Sequence, residues 1–372
     1  MAAGTVSGIR TREWRHPRRR IRLSGRSSRS KCTRRVKSGG PTSRSASGSL
    51  RGCRDVRSRS CDDRRQCHAT WGPVPVTRPS FFPEGYAGCA ARDISLADGT
   101  RLRLVESGDS HAPPVLLVHG FGASAYQWRF TLPVLAAAGY HAIAPDLPGH
   151  GFSALTFPDG AYSRDVYARR MWQLLDALGV ACAPVIGHSM GGAIAAEMAW
   201  QHPERVARLA LLSPAGFGLV PQRMRLIRHI PDALAPLARL LASRAAAAVV
   251  LGDVYGPDGV WTARDEAELL APYTRRGIYR ALLRTLKEFD FRLHSNAQLA
   301  RLPRGTLVIF GTHDAVVRPV DIAARVRLVP EGRLVMLSRI GHLPQVEAVE
   351  EVGRLLVAFV QGARVAGAVS AD

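Results

Sequence analysis

Ser189 occupies a position in which a serine could act as a nucleophile. Gly187 and Gly191 flank it in the pattern G-x-S-x-G, with an apolar run at 183–186 before it and a helical run with small residues at 192–200 after it. Glycines fit such a tight turn because a Cβ atom on either side would clash with the backbone. The turn exposes the serine hydroxyl beside a helix N-terminus, where developing negative charge is favoured. The pattern therefore predicts a nucleophilic serine.

Asp314 and His342 are the candidate partners of this serine. A serine hydroxyl is a weak nucleophile that needs a histidine base, and the base needs an acid that fixes its tautomer. Asp314 follows an apolar run at 306–310, and His342 follows another at 334–337. The order serine, acid, histidine, with each residue after a strand, is typical of this arrangement. From the residues alone, a loop-capping role for Asp314 and a surface position for His342 stay open.

Two backbone N–H groups are candidates for an oxyanion hole. The negative oxygen that forms during acyl transfer requires preorganised donors. We predict the N–H of Met190, directly after the serine, and the N–H of Phe121. Gly120 and Gly122 on either side of Phe121 would let that loop approach the serine. His119, which precedes the loop, is expected to hold it by hydrogen bonds and not to take part in the chemistry.

The elements that would position these residues form an α/β pattern. The first two strands alternate polar and apolar residues around a turn at 97–100, which indicates an antiparallel hairpin. Later runs are continuously apolar, as in strands buried on both faces, and alternate with helical segments near 124–138 and 163–179. We predict a doubly wound, mostly parallel sheet of eight strands. The predicted strands are 92–96, 101–105, 114–119, 141–144, 183–186, 209–212, 306–310 and 334–337.

Residues 215–302 interrupt the alternation of strands and helices. They are rich in Leu, Ala and Arg with helical periodicity, and they follow the sixth strand. We predict a helical lid over the strand ends, with the core formed by 88–214 and 303–362. The aromatic and aliphatic residues of this segment suggest an apolar acyl or aromatic substrate, although the same pattern also fits the lid's own core.

The basic charge of the chain is concentrated at its N-terminus. Residues 1–79 hold 21 of the 51 Lys and Arg residues but only 4 of the 30 Asp and Glu residues. This arm has few aliphatic residues, so we expect it to be disordered. Three interpretations of the arm remain open. It could be a targeting segment, a segment that contacts nucleic acid or anionic membrane through its charge, or an upstream extension outside the working protein. The nearly balanced charge of the remaining residues argues against nucleic acid as a partner of the folded part.

The cysteines and the hydropathy of the chain argue against a disulfide-rich protein, a zinc protein and a membrane-spanning protein. Four of the six cysteines lie in the arm, and Cys61, Cys67 and His68 match no paired zinc-ligand spacing. Cys89 and Cys182 stand singly, so we expect a reducing compartment, the cytoplasm, unless the arm directs the chain to an organelle. No apolar stretch reaches 18 residues, so no membrane span is expected. We expect no metal and no cofactor.

Five motifs together resemble the α/β-hydrolase-fold superfamily of lid-bearing serine hydrolases, over about residues 88–362. The motifs are 119–122 (HGFG), 146–153 (DLPGHGFS), 187–192 (GHSMGG), 311–314 (GTHD) and 341–342 (GH). The resemblance implies that Ser189 attacks a carbonyl carbon, His342 takes its proton, Asp314 steadies the imidazolium, and water then cleaves the acyl-enzyme.

The resemblance leaves the substrate open, because the superfamily includes esterases, lipases, thioesterases, carbon–carbon bond hydrolases and cofactor-free haloperoxidases. Serine at position 189 argues against the haloalkane dehalogenase and epoxide hydrolase branches, which use aspartate there. The leading hypothesis is a hydrolase of a small-molecule carboxylic ester or related acyl compound. The alternatives are hydrolysis of a carbon–carbon bond in a dienoate and a non-catalytic scaffold that binds a ligand or partner.

Overall fold

The structure, a computed structural model, describes residues 81–156, 158–220, 229–241, 244–363 and 369–370. The predicted arm 1–79, with its four cysteines, lies outside the described residues. The strands in chain order are β1 (Cys89–Ser95), β2 (Arg101–Ser107), β3 (Pro114–Val118), β4 (His141–Pro145), β5 (Ala183–His188), β6 (Val206–Leu212), β7 (Leu307–Gly311), β8 (Arg333–Leu337) and β9 (Val369–Ser370).

The strands of the described chain form one mostly parallel sheet in the order β1-β2-β4-β3-β5-β6-β7-β8-β9. β1 pairs antiparallel with β2 and β2 antiparallel with β4, whereas β4, β3, β5, β6, β7 and β8 are parallel neighbours. The predicted α/β fold with eight mostly parallel strands is confirmed. Strand β9, which the sequence analysis did not predict, adds two residues antiparallel to β8.

Helices cover both faces of the sheet. The helices of the core are α1 (Thr131–Ala137), α2 (Arg164–Ala177), α3 (Met190–Gln201), α8 (Ile322–Arg327), α9 (Pro344–Glu347) and α10 (Val349–Val360), numbered in chain order with those between β6 and β7. In β3, Leu116 and Val118 pack into a core cluster with residues of α2 and α3. Val115 and Leu117 pack into the opposite cluster with residues of α1 and α10. Burial on both faces explains why this strand is a continuous apolar run.

A helical insert lies between β6 and β7. Its described elements are a 3₁₀ helix at Asp232–Leu241, then α4 (Arg244–Val254), α5 (Ala263–Leu270), a 3₁₀ turn at Ala271–Thr274, α6 (Ile278–Glu288) and α7 (Asn296–Leu299). We call residues 229–302 the insert. No helix of the described residues has the length and hydropathy of a membrane span.

Asp265 at the start of α5 attaches the insert to the core. Its carboxylate accepts hydrogen bonds from Thr262, from the Tyr126 hydroxyl at 2.9 Å and from the Arg129 guanidinium at 2.7 Å. Burial works to raise the pKa of Asp265, but the hydrogen bonds of Thr262 and the charge of Arg129 outweigh it and hold that pKa below its ordinary value. The charged hydrogen bonds of Asp265 therefore hold the start of α5 against the core, beside the 3₁₀ turn at Ala125–Trp128.

Candidate active site

The three side chains predicted to cooperate meet at the carboxyl ends of the parallel strands. Ser189 follows β5, Asp314 lies beyond β7, and His342 lies beyond β8. The Nε2 atom of His342 is 2.9 Å from the Oγ atom of Ser189, and its Nδ1 atom is 2.8 Å from Oδ2 of Asp314. All three residues are buried. The fold thus brings together residues that are up to 153 positions apart in sequence.

Ser189 has a strained backbone, with φ 53° and ψ −118°. Its N–H donates to the carbonyl of Leu212 at 2.9 Å, which anchors the turn to the neighbouring strand. A Cβ atom on Gly187 would overlap the carbonyl of Gly191, and one on Gly191 would overlap the carbonyl of Val118. Both glycines are therefore required by close backbone approach, as the sequence indicated. The turn places the serine at the N-cap of α3.

The Asp314 carboxylate is held by three neighbours, two in sequence and one in space. Its Oδ1 atom accepts from the N–H groups of Val316 at 2.9 Å and Val317 at 2.8 Å, and Oδ2 faces His342. An ionised carboxylate only accepts hydrogen bonds, so the proton of a neutral His342 lies on Nδ1. The unprotonated Nε2 then faces the Ser189 hydroxyl.

The two backbone donors of the predicted oxyanion hole belong to α3 and to the loop after β3. Met190 is the first residue of α3, and Phe121 lines the cavity above Ser189. Neither N–H donates to an acceptor in the described part of the chain. Gly120 donates its own N–H to Oε1 of Gln127 at 2.9 Å, and Gly122 has a φ of 69°. These contacts set the path of the loop that carries Phe121.

His119 has the structural role that the sequence indicated. Its Nδ1–H donates to the carbonyl of Gly120 at 2.7 Å, and its Nε2 accepts from the N–H of Leu147 at 2.9 Å. Burial lowers the pKa of His119 to about 4. A neutral imidazole therefore fixes the loop after β3 to the loop after β4.

His188 and Gln127 take part in the site although sequence reasoning did not identify them. His188 Nε2 lies 2.6 Å from the carbonyl oxygen of His342, and its Nδ1 lies 3.1 Å from Oε1 of Gln127. Burial, together with the neighbouring His342, lowers the pKa of His188 well below its ordinary value. A neutral ring has one proton, and the shorter contact places it on Nε2, which donates to the His342 carbonyl and leaves Nδ1 without a hydrogen bond to Gln127. For His188, the only signal in the sequence was its position next to Ser189.

A cavity of about 390 Å³ adjoins Ser189 and His342, between the core and the insert. Its apolar lining comes from both parts of the chain: Phe121, Ala123, Ala215, Val220, Val250, Leu251, Val254, Leu269, Phe291, Val316, Val317 and Leu343. The described lining residues include no lysine and no arginine, and their one acidic residue is the exposed Asp253. The Tyr273 hydroxyl, whose pKa burial raises to about 12, donates to the carbonyl of Gly122 at 3.2 Å.

Comparison with known proteins places this arrangement in a family. The sequence matches the family model described as alpha/beta hydrolase fold over residues 113–349. Since this match covers more than half of the chain, the protein belongs to the α/β-hydrolase-fold family.

Relatives within the family carry out different reactions. Epoxide hydrolase A of Mycobacterium tuberculosis is 31% identical over 71% of this chain and 95% of its own length. Lipase 1 of Psychrobacter immobilis is 27% identical over 72% of this chain and 83% of its own. A solved meta-cleavage product hydrolase from Pseudomonas fluorescens IP01 superposes with a TM-score of 0.62 at 26% identity, over 73% of this chain and 98% of that one. These similarities support hydrolase activity in general and leave the scissile bond to the site itself.

Proposed function

We propose that the protein is a serine hydrolase that cleaves carboxylic esters through an acyl-enzyme on Ser189. The observation that carries this proposal is the contact of 2.9 Å between Ser189 Oγ and His342 Nε2, with Asp314 on the opposite ring nitrogen. This arrangement is what general-base activation of a serine requires. Serine in place of aspartate disfavours the chemistry of the epoxide hydrolase relative.

In the acylation step, Ser189 Oγ attacks the ester carbonyl carbon while its proton moves to His342 Nε2. The resulting oxyanion accepts hydrogen bonds from the N–H groups of Phe121 and Met190. The intermediate collapses, the ester C–O bond breaks, and His342 returns the proton to the leaving alkoxide. Asp314 stabilises the imidazolium that exists between these two proton transfers.

In the deacylation step, His342 takes a proton from water as the water oxygen attacks the acyl carbon. The second tetrahedral intermediate uses the same two N–H donors. Its collapse releases the carboxylic acid, and the proton on His342 returns to Ser189 Oγ. One base and one oxyanion hole therefore serve both halves of the reaction.

A fluorophosphonate tests the nucleophile without knowledge of the substrate. We expect one adduct per chain, detected by intact mass, because the reagent phosphonylates an activated serine in this geometry. Ser189→Ala should abolish the adduct. Ser213→Ala is the matched control, since Ser213 is also buried and also has a positive φ, of 42°. A folded protein that takes up no label would instead support a non-catalytic scaffold.

The cavity favours an ester with an uncharged, apolar acyl group. Its walls are mostly aliphatic and aromatic, and the described lining residues supply no cation for a substrate carboxylate. Burying a carboxylate without a partner is costly. A dienoate carries such a carboxylate. The lining therefore supports the ester over the carbon–carbon bond hydrolysis suggested by the meta-cleavage product relative.

A pair of esters that differ in one charge tests this preference. We expect p-nitrophenyl valerate to exceed p-nitrophenyl hemisuccinate in kcat/KM by about 10- to 100-fold, the range for one unpaired buried polar group. A 2-hydroxy-6-oxo-dienoate serves as the comparison for the carbon–carbon bond. Equal kcat/KM for the two esters, or faster turnover of the dienoate, would contradict the assignment.

We further propose that residues 215–302 act as the lid of this core, which comprises 88–214 and 303–362. Support comes from the cavity wall, part of which is formed by Leu251, Leu269 and Phe291. The insert therefore shapes the acyl site and limits the access of solvent to Ser189.

A further inference from the structure

The carboxylate of Glu347 holds the backbone on both sides of His342. Glu347 ends the short helix α9, and its side chain accepts the N–H of Gly341 at 3.1 Å and the N–H of Leu343 at 3.1 Å. The residues directly before and after the histidine thus both donate their N–H groups to one carboxylate. Hydrogen bonds from N–H groups to an ionised carboxylate are stronger than those between neutral groups.

Glu347 also joins this loop to the insert. It accepts the N–H of Gly256 at 2.6 Å, and two residues earlier the carbonyl of Val254 accepts the N–H of His342 at 2.7 Å. A Cβ atom on Gly256 would overlap the carbonyl of Arg339, so the two backbone segments lie in direct contact. The insert and the His342 loop are therefore positioned by the same carboxylate.

The remaining backbone group of His342 has a partner as well. Its carbonyl accepts from Nε2 of His188 at 2.6 Å. Each polar backbone group of the histidine is held, and of the partners in this loop only Glu347 accepts N–H groups from both neighbouring residues. Without its carboxylate, three N–H groups in a partly buried location would lose their acceptor.

We propose that Glu347 is a positioning residue for the histidine base, and that through Gly256 it couples the insert to that base. This inference rests on the proposed role of His342. Small errors in the placement of a base slow proton transfer severely, because a displacement of about 1 Å can cost roughly 100-fold. Glu347 acts through the backbone of residues 341–343 and does not itself contact the cavity in the described structure.

The test compares Glu347→Ala with Glu347→Asp in the full chain, using p-nitrophenyl acetate and the fluorophosphonate. In Glu347→Ala we expect kcat to fall by about 10- to 100-fold, with KM within about threefold of the wild type because the acyl cavity is not altered. The rate of fluorophosphonate inactivation should fall in parallel, since it needs the same base. Glu347→Asp retains a carboxylate and should recover part of the loss.

The matched control is Asp258→Ala. Asp258 lies in the insert and pairs with Arg339 of the His342 loop, but this ion pair is exposed, at 58% of the Arg339 side chain and 61% of the Asp258 side chain. It should keep the wild-type kcat, because exposed pairs contribute little. If Asp258→Ala keeps the wild-type kcat, a loss in Glu347→Ala cannot be due to the loss of just any contact between the insert and the loop. The loss then comes from the carboxylate that holds the residues beside His342.

Wild-type kcat in Glu347→Ala, or a change confined to KM or to the melting temperature, would overturn the inference. If the alanine variant does not fold, Glu347→Gln decides in its place, because an amide keeps the shape but offers one acceptor where three N–H groups converge. An active wild type with an unaffected Glu347 variant refutes this inference alone. A wild type without labelling or turnover refutes the proposed function.

Discussion

Ser189→Ala and His342→Ala are each expected to lower kcat/KM for p-nitrophenyl valerate by about 10⁴- to 10⁶-fold, and the double variant should be scarcely worse. Ser189 Oγ and His342 Nε2 share one hydrogen bond of 2.9 Å. The serine without the base is a weak nucleophile, and the base without the serine has no proton to accept. Once either is gone, removal of the other costs little more.

The measurement is steady-state kinetics of the four proteins, wild type, two single variants and the double variant, with the melting temperature as a check on folding. His313→Ala is the control, because His313 follows β7 on the loop of Asp314 and is exposed. It should retain wild-type kcat/KM. If the fold-losses of the two single variants multiplied in the double variant, Ser189 and His342 would act independently. A strong loss of kcat/KM in His313→Ala would identify a different base.

Those features of the site that depend on local sequence could be predicted. The turn around Ser189 needs two glycines and a strand before it, all within a few residues. Asp314 and His342 could be placed because each follows a continuous apolar run, and such runs stand out in a sequence, even though Met336 in the second run is exposed. The carboxyl ends of parallel strands then lie at one edge, so the meeting of the three side chains followed from the topology.

Contacts between distant segments could not be predicted in this way. Glu347 binds Gly256 across 91 positions, and Arg129 binds Asp265 across 136. Neither pair has a motif, because a glutamate on a short helix or an arginine near a turn is usually solvated. The short strand β9 was missed for a different reason. Two residues paired at a sheet edge do not make a period that a pattern can reveal.

The strands also extended beyond the apolar runs that indicated them. β1 begins at Cys89 and β6 at Val206, three residues before each predicted start. The additional residues include exposed positions such as Ala90 and Ala207. Backbone pairing continues at Ala90, and in β6 it continues at Val206 and Arg208 around an irregularity that leaves Ala207 unpaired. Hydropathy reports burial, so it marks the buried part of a strand better than its ends.

Asp314→Asn is expected to lower kcat by about 10⁴-fold, although it changes hardly any atom positions. Oδ1 of Asp314 accepts two N–H groups, from Val316 and Val317. In asparagine the amide oxygen must stay on that side, because an NH₂ group there would face two donors. The NH₂ group is then turned towards Nδ1 of His342, at the position where Oδ2 now lies 2.8 Å away.

This orientation imposes the wrong tautomer on the base. The amide donates to Nδ1 of His342, so the single proton of the neutral imidazole moves to Nε2 and faces Ser189. A protonated Nε2 cannot take the serine proton. The loss should therefore appear in kcat and in the rate of fluorophosphonate inactivation, while the melting temperature and KM change little.

Asp258→Asn provides the matched control for Asp314→Asn. It makes the same chemical change at an exposed aspartate that contacts the His342 loop through Arg339, and it should leave kcat near the wild-type value. If Asp314→Asn also retained wild-type kcat, the acid that orients His342 would have to be another residue. A kcat that falls only in Asp314→Asn assigns the orientation of His342 to the carboxylate of Asp314, which the N–H groups of Val316 and Val317 hold in place.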